Sequence, residues 1–241
     1  MNKIFTSSEE AVADVFDGAT ILCGGFGCVG GAPWSLYRAL AKRSVRNLTI
    51  VGNAPLLGIE TQRAAARTMT VPDEFADASL LLKNGQVSKT IISVPTMAIY
   101  KRKEPFPIVK AILDGFDVEI ELVAQGTLAE RIRAAKAGIG GFFTRTGVGT
   151  YVEKGKEVRE IDGEVYILEC PIKADFAFIW AHRADRFGNL VYKGTSRTFN
   201  ATMAGAATVT IAEVGQVVEL GDLDPEHIVT PAVYVNRLVT R

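Results

Sequence analysis

Five glycines fall within eight positions in Gly24-Gly25-Phe26-Gly27-Cys28-Val29-Gly30-Gly31, after the apolar run Ala19-Thr20-Ile21-Leu22-Cys23 and before Ala32-Pro33. Glycine costs backbone entropy, so this density serves unusual dihedrals or the close approach of a ligand to the backbone. A strand that opens through such a loop into a helix can aim several N–H groups at a phosphate or carboxylate, since a helix start carries partial positive charge. Glycine-rich turns of this kind also form for packing alone, and the spacing by itself leaves both readings open.

Common nucleotide patterns fit poorly. A P-loop needs Gly-Lys-Ser/Thr at its end, and Trp34-Ser35 follows Pro33 instead. A dinucleotide fingerprint can be laid over Gly25 to Gly30, but its acidic residue at the end of the second strand is missing, because Leu48-Thr49-Ile50-Val51 runs into Gly52-Asn53.

The elements around the loop follow from periodicity. Ser7-Ser8-Glu9-Glu10 begins a capped helix that Asp17-Gly18 ends. Helical apolar spacing covers Pro33 to Lys42, and Leu48 to Val51 reads as a second buried strand, so the two strands form a right-handed parallel crossover. The pattern repeats with a strand at Val87 to Val94, a helix from about Met97 to Leu113, an alternating strand at Val118 to Val123 and a helix from Gly126 to Ala137 closed by Gly138. From Gly138 to Gly155 glycines punctuate what reads as a structured loop lining a site. Strands return at Glu157 to Ile161 and Glu164 to Leu168 around the hairpin signal Asp162-Gly163, then at Ala174 to Ala181, Asn189 to Tyr192, Val209 to Val214 and Val233 to Val239. The expected fold class is α/β, a doubly wound, mostly parallel sheet joined by antiparallel additions, in one domain over residues 1–241.

Composition narrows the partners. Lys+Arg and Asp+Glu balance at 27 each, which argues against nucleic acid. Cys23, Cys28 and Cys170 have no metal or disulfide spacing, and there are two histidines, His182 and His227, which read as structural; no metal site is expected. No apolar run approaches the ~20 residues that span a bilayer, so the expectation is a soluble cytoplasmic protein without a membrane partner.

Taken together, these positions resemble the alpha (A) subunit of the family I CoA-transferases, the 3-oxoacid, succinyl-CoA-dependent type. The resemblance covers nearly the whole chain. It rests on Asp17-Gly18-Ala19-Thr20 leading into Gly24-Gly25-Phe26-Gly27, on Gln125-Gly126-Thr127-Leu128-Ala129-Glu130-Arg131-Ile132-Arg133, and on Ala174-Asp175-Phe176-Ala177 with Ala184-Asp185-Arg186-Phe187-Gly188-Asn189-Leu190. Later matches are Arg197-Thr198-Phe199-Asn200 and Glu219-Leu220-Gly221-Asp222-Leu223-Asp224-Pro225-Glu226-His227-Ile228.

The resemblance implies ping-pong transfer of CoA between carboxylic acids through a glutamyl-CoA thioester, with a CoA thioester as substrate and no permanently bound cofactor. In this family the glutamate lies on the beta (B) subunit in a Glu-Asn/Ala-Gly motif. No glutamate of this chain is followed that way. A separate beta subunit is therefore the implied partner, alongside small acids and acyl-CoA. Gln125 is the candidate catalytic residue: at the end of a strand and the start of a helix its amide can donate to a thioester oxyanion, as the family's glutamine does, or it caps the helix. The candidate substrate- and CoA-binding residues are Gly24, Gly25, Phe26, Gly27, Cys28, Val29, Gly30 and Asn53. Asn53 orients a substrate carboxylate or forms a turn before Ala54-Pro55.

The charges from Glu130 to Arg133 read as a solvated face, and Lys101-Arg102-Lys103 as an exposed loop or a CoA-phosphate contact. Three departures from the family pattern bear on substrate: an extra residue before Pro33, an inserted-looking tract from Glu60 to Phe75, and Arg145 with Val148 where proline and tyrosine are common. A guanidinium at 145 would favour a dicarboxylate if it faces the site. Acetate or another simple acid is the alternative acceptor. A sugar-phosphate-binding isomerase-like or effector module is the alternative of a different class.

Overall fold

Short apolar runs rich in Val, Ile and Phe, each closed by Gly, Asn or a helix start, supply the strands of the central sheet. The computed structural model of the protein describes residues 2–27, 30–65, 71–95 and 105–241. In chain order its elements are α1 (Ser8–Ala11), β1 (Thr20–Cys23), α2 (Trp34–Ala41), β2 (Leu48–Gly52), α3 (Ile59–Ala65), α4 (Ser79–Lys83) and β3 (Val87–Ile92). There follow α5 (Pro107–Leu113), β4 (Glu119–Leu122), α6 (Gln125–Ala137), β5 (Phe142–Thr144), β6 (Val158–Ile161), β7 (Glu164–Glu169) and β8 (Ala174–Ala181). The last are β9 (Arg183–Asp185), β10 (Leu190–Val191), α7 (Thr198–Met203), β11 (Ala207–Val214), β12 (Val217–Val218) and β13 (Arg237–Thr240).

Seven strands form one sheet in the order β13-β11-β8-β1-β2-β3-β4, and every neighbouring pair is parallel. The chain steps outward from β1 to β4, then returns to the far side of β1 as β8. Strand order thus reverses around β1, and the C-terminal ends of β8, β1 and β2 meet where open α/β sheets form ligand crevices. Both faces are covered, as a parallel sheet requires. Ile21, Cys23, Phe176 and Phe178 pack with Leu36, Leu40, Leu81 and Ile108 on one face. Leu22, Val51, Ala177 and Ile179 pack with Leu128, Ile132, Phe199 and Met203 on the other. This is the doubly wound arrangement expected.

The antiparallel strands do not extend that sheet. They form a separate three-stranded sheet, β5-β7-β6, around the Asp162-Gly163 turn, and in another small sheet β9 pairs antiparallel with β10 and parallel with β12. The segment from Gly138 to Gly155 contributes β5 and a 3-10 turn at Tyr151–Glu153. The helix expected from Met97 begins at Pro107, whose fixed φ and missing N–H suit a first helical position; residues 97–104 lie outside the described residues. Pro231 opens a 3-10 turn at Ala232–Tyr234, so the last strand starts at Arg237 and not at Val233. The expected strand Asn189 to Tyr192 shortens to β10. No helix among the described residues is long and apolar enough to cross a membrane.

One expected solvated face is only partly so. Glu130 and Arg133 form an exposed pair at 2.8 Å, but the Arg131 side chain is 11% exposed. Its Nη1 lies 2.6 Å from Glu121 Oε1 of β4, and its Nε donates to the Cys170 carbonyl at 2.8 Å and lies 3.7 Å from Glu169 Oε2. Glu169, 2% exposed, also pairs with Lys156, so Arg131 ties α6 to both the sheet edge and the small antiparallel sheet. Burial pushes the Glu121 carboxyl up, but Arg131 and Lys89 outweigh it and hold the pKa below its ordinary value. Because the folded value is lowered, this contribution to stability is present above the unfolded carboxylate value and is lost as pH falls through the folded one. Arg131→Met should cost about 1–2 kcal/mol by urea unfolding at pH 7, since Glu121 and Glu169 keep Lys89 and Lys156 but lose the cation that joins them, and the cost should shrink as the buffer is acidified. A cost below about 0.5 kcal/mol would show the linkage to be decorative.

Candidate functional site

Leaving β1, the Gly24 N–H donates to the Phe178 carbonyl of β8 at 2.8 Å, which keeps the chain paired for one further residue. A Cβ on Gly24 would lie 2.0 Å from Asn200 Oδ1 and 2.9 Å from the Phe178 oxygen, so only glycine fits. At the far end of the loop Gly31 holds φ +79°, and a Cβ there would lie 2.8 Å from the Ser196 carbonyl. Both positions are crowded by the segment that carries Asn200.

Asn200, fully buried on α7, is what the loop closes upon. Its Oδ1 accepts from the Trp180 N–H at 3.0 Å, and its Nδ2 donates to the carbonyls of Gly31 at 2.9 Å and Ser196 at 2.8 Å. One amide thus stitches the loop to β8 and to the turn before α7, whose first residue, Thr198, sits at φ 29°. Phe26 stacks on Phe199, with centroids 6.1 Å apart. Gly27 lies against Ala54, its virtual Cβ 3.3 Å from the Ala54 side chain, and the Gly30 N–H donates to the Gly27 carbonyl. Gly25 holds φ +94° in the turn out of β1. Cys28 and Val29 lie outside the described residues.

The helix that follows has no side-chain cap of its own. Glu213 of β11, completely buried, supplies one from across the sheet: its Oε2 accepts from the N–H groups of Ser35 at 2.9 Å and Leu36 at 3.3 Å. Arg241 Nε donates to its other oxygen at 2.5 Å and stacks on Trp34 with its guanidinium 4.0 Å from the ring centroid. Burial nonetheless raises the Glu213 pKa. The loop is therefore held at both ends by buried polar side chains.

Across the sheet the Gln125 Nε2 donates to Asn53 Oδ1 at 3.2 Å. Gln125 is exposed at the first position of α6 and makes no capping bond, which sets aside the helix-cap reading. Asn53 is 3% exposed, and its carbonyl accepts from the N–H groups of Ser93 at 3.2 Å and Val94 at 2.9 Å. These bonds hold Asn53 beside Ser93 where the β2–β3 ladder ends, and its side chain reaches Gln125 at the start of α6. The structure thus brings Gln125, Asn53 and, through Ala54, the glycine loop together at the C-terminal ends of the strands.

Other candidates lie apart. The guanidinium of Arg145 pairs with Glu164 at 2.9 Å on the small antiparallel sheet, with both side chains exposed, so it does not face this site. His227 contacts Asp224 at 3.4 Å in an exposed turn, as a structural reading expects. Lys101, Arg102 and Lys103 lie outside the described residues. Burial pushes the Cys23 thiol up to about 12, so it stays protonated at neutral pH and is no nucleophile. Beneath the loop a cavity of ≈ 10 Å³ lies among Cys23, Tyr37, Gln62 and Asp77, enough for one water and far too small for an acid substrate. Two larger clefts, of ≈ 380 and ≈ 390 Å³, meet at Arg38 and Glu74, and neither is lined by Gln125, Asn53 or the glycine loop.

Asn200 and Glu213 escaped the sequence reading. The first was visible only as a member of Arg197-Thr198-Phe199-Asn200; an asparagine amid apolar residues was the signal. A glutamate inside the strand run Val209 to Val214 was the second.

Comparison with known proteins adds a separate line. A family model described as coenzyme A transferase matches residues 5–241. The A-type subunit of the 3-oxoadipate CoA-transferase of Pseudomonas putida is 44% identical over 239 residues, 99% of this chain and 94% of the relative. The A-type subunit of a probable succinyl-CoA:3-ketoacid coenzyme A transferase of Bacillus subtilis is 42% identical over 240 residues, 99% and 90% of the two chains. The alpha subunit of the acetate CoA-transferase of Escherichia coli is 38% identical over 234 residues, 96% and 94%. Among solved structures, glutaconate coenzyme A-transferase from Acidaminococcus fermentans superposes with a TM-score of 0.77 at 18% identity, covering 99% of this chain and 75% of that one. An acyl-CoA transferase of Escherichia coli O157:H7, in a thioester complex with CoA, gives 0.78 at 22% identity, covering 100% of this chain and 47% of that one. At such identities the superpositions speak for the fold.

Proposed function

The chain belongs to the coenzyme A transferase family, and from that premise we propose that it is the alpha subunit of a heteromeric 3-oxoacid CoA-transferase. It would move CoA from succinyl-CoA to a short 3-oxo acid such as 3-oxoadipate or acetoacetate, in keeping with the 3-oxoadipate and 3-ketoacid named for its relatives. The observation that supports the reading is the Gln125–Asn53 pair beside the glycine loop, two neutral amides joined at the C-terminal ends of the strands.

In the proposed reaction a glutamate carboxylate of the partner beta subunit attacks the thioester carbonyl of succinyl-CoA. The C–S bond breaks and CoA leaves as thiolate, giving a mixed anhydride; the thiolate then attacks the glutamyl carbonyl and releases succinate. The acceptor acid runs the same steps in reverse. Gln125 donates the second N–H of its amide to the oxyanion that forms on the carbonyl, and the loop backbone and Asn53 bound the acid. Residues 1–241 are read as one domain, working in the cytoplasm.

The family match over residues 5–241 favours this over a sugar-phosphate module. The purified chain mixed with its beta partner should transfer CoA from succinyl-CoA, and neither chain alone should do so. Full-rate transfer by this chain alone would overturn the division of labour. A panel of 3-oxo acids and acetate, run on the active pair, assigns the acceptor.

A further inference from the structure

Ser93 stands at the end of β3 with its Oγ buried and without a hydrogen-bond partner. Among the described residues four other buried side-chain atoms share that condition, on Ser35, Trp180, Arg183 and Thr198, and none of them lies on β2, β3 or β4. A buried donor left unpaired costs stability, and a strand end could carry alanine at no such cost.

Strand register places this hydroxyl. Val51 faces Ile91 and Gly52 faces Ile92 across β2 and β3, so the next step sets Asn53 opposite Ser93. The Asn53 carbonyl accepts from both the Ser93 N–H at 3.2 Å and the Val94 N–H at 2.9 Å, so the two residues lie side by side where the ladder ends. Across β3 and β4, Ile92 faces Leu122, which brings Ser93 level with Val123, two residues before Gln125. Side chains alternate along a strand, so residue 93 shares a face with Ile91, and Asn53 with Val51. Ile91, Val51 and Val123 all pack into the core on the α6 side. Ser93 and Asn53 therefore share one face at neighbouring strand ends, and Gln125, which donates to Asn53, opens α6 beside them.

We propose that Ser93 is a substrate-binding residue whose Oγ–H donates to the carboxylate of the acceptor acid, beside Asn53. The inference rests on the transferase reading above. An ionised carboxylate offers about four acceptor sites and needs several donors. It must also act as the attacking nucleophile. Neutral donors orient it without the charge-assisted bond of a Lys or Arg, which would hold its electron pairs back.

The test is Ser93→Ala in the reconstituted pair, read as kinetics and thermal unfolding together. The KM for the acceptor acid should rise about tenfold, the loss of one hydrogen bond, with kcat within about twofold. The Tm should stay level or rise, because an unpaired hydroxyl has been removed. Ser93→Thr, which keeps the hydroxyl, should bring the KM back toward the starting value. An unchanged KM in an active pair overturns the proposal, and so does a fall in Tm or a failure to fold, either of which would make the hydroxyl structural. If the unaltered pair transfers no CoA, the transferase reading itself fails, and that outcome is distinct from the other two.

Discussion

Gln125→Ala in the reconstituted pair is expected to lower kcat about 10²- to 10³-fold, the usual cost of removing one oxyanion donor. Stability should hardly change, within about 0.5 kcal/mol, as for an exposed position away from caps and cores. The side chain is exposed, makes no capping bond, and has one hydrogen bond, to Asn53 Oδ1. Gln125→Glu sharpens the case. It preserves size but turns the donor into an acceptor facing another acceptor, and it puts an anion at the start of a 13-residue helix. An anion there favours the helix, so this variant should be at least as stable as the parent against its own unfolding and still lose kcat. Steady-state kinetics with saturating succinyl-CoA, alongside urea unfolding of the free chain, measures both. A kcat within about threefold of the parent in both variants would remove Gln125 from the chemistry.

Much of the scaffold around that residue was legible from sequence because it is local. Hydrophobic runs gave the strands, Ser7 capped α1 through the Glu10 N–H, and Asp162-Gly163 turned the hairpin. The motifs behind the family resemblance prove to be joints of the scaffold. Asp175 accepts the Thr20 N–H at 2.8 Å and so ties the start of β8 to the start of β1. Asp185 accepts from the N–H groups of Phe187, Gly188 and Asn189, closing the Arg186-Phe187-Gly188 turn.

What was not legible depended on sequence-distant partners. Arg131 has the same helical spacing to its neighbours as Arg133, and only the placement of Glu121, Glu169 and Cys170 turns one inward and leaves the other in water. Arg145 invited a role at the acyl site until Glu164 on the hairpin strand proved to be its partner. The meeting of Gln125 with Asn53, 72 residues apart, needs β2, β3 and β4 in parallel register. Glycine density signalled a tight approach at residues 24–31 but not what approaches. That is a side chain of the same protein, Asn200, 176 residues away from Gly24.

This last contact carries the largest expected effect on stability. Asn200→Ala leaves the Trp180 N–H and the Gly31 and Ser196 carbonyls without their partner in a fully buried place. Orphaned groups of this kind cost about 1–3 kcal/mol each, and partial relaxation or water entry into the space vacated brings the total to about 3–5 kcal/mol. Gly24→Ala attacks the same joint from the other side. Its new methyl would overlap Asn200 Oδ1, which must swing away and release the same three bonds. The two substitutions therefore destroy one interaction between them. In a double-mutant cycle the second change should cost less than it does alone, with a coupling of about 1–3 kcal/mol. A residue of the Gly24→Ala cost should survive in the Asn200→Ala background, because the Phe178 carbonyl still lies 2.9 Å from the new Cβ. Urea unfolding of the four proteins gives the coupling directly. Costs that add within about 0.5 kcal/mol would show that loop and amide are not one joint, and the glycine at 24 would then need another cause.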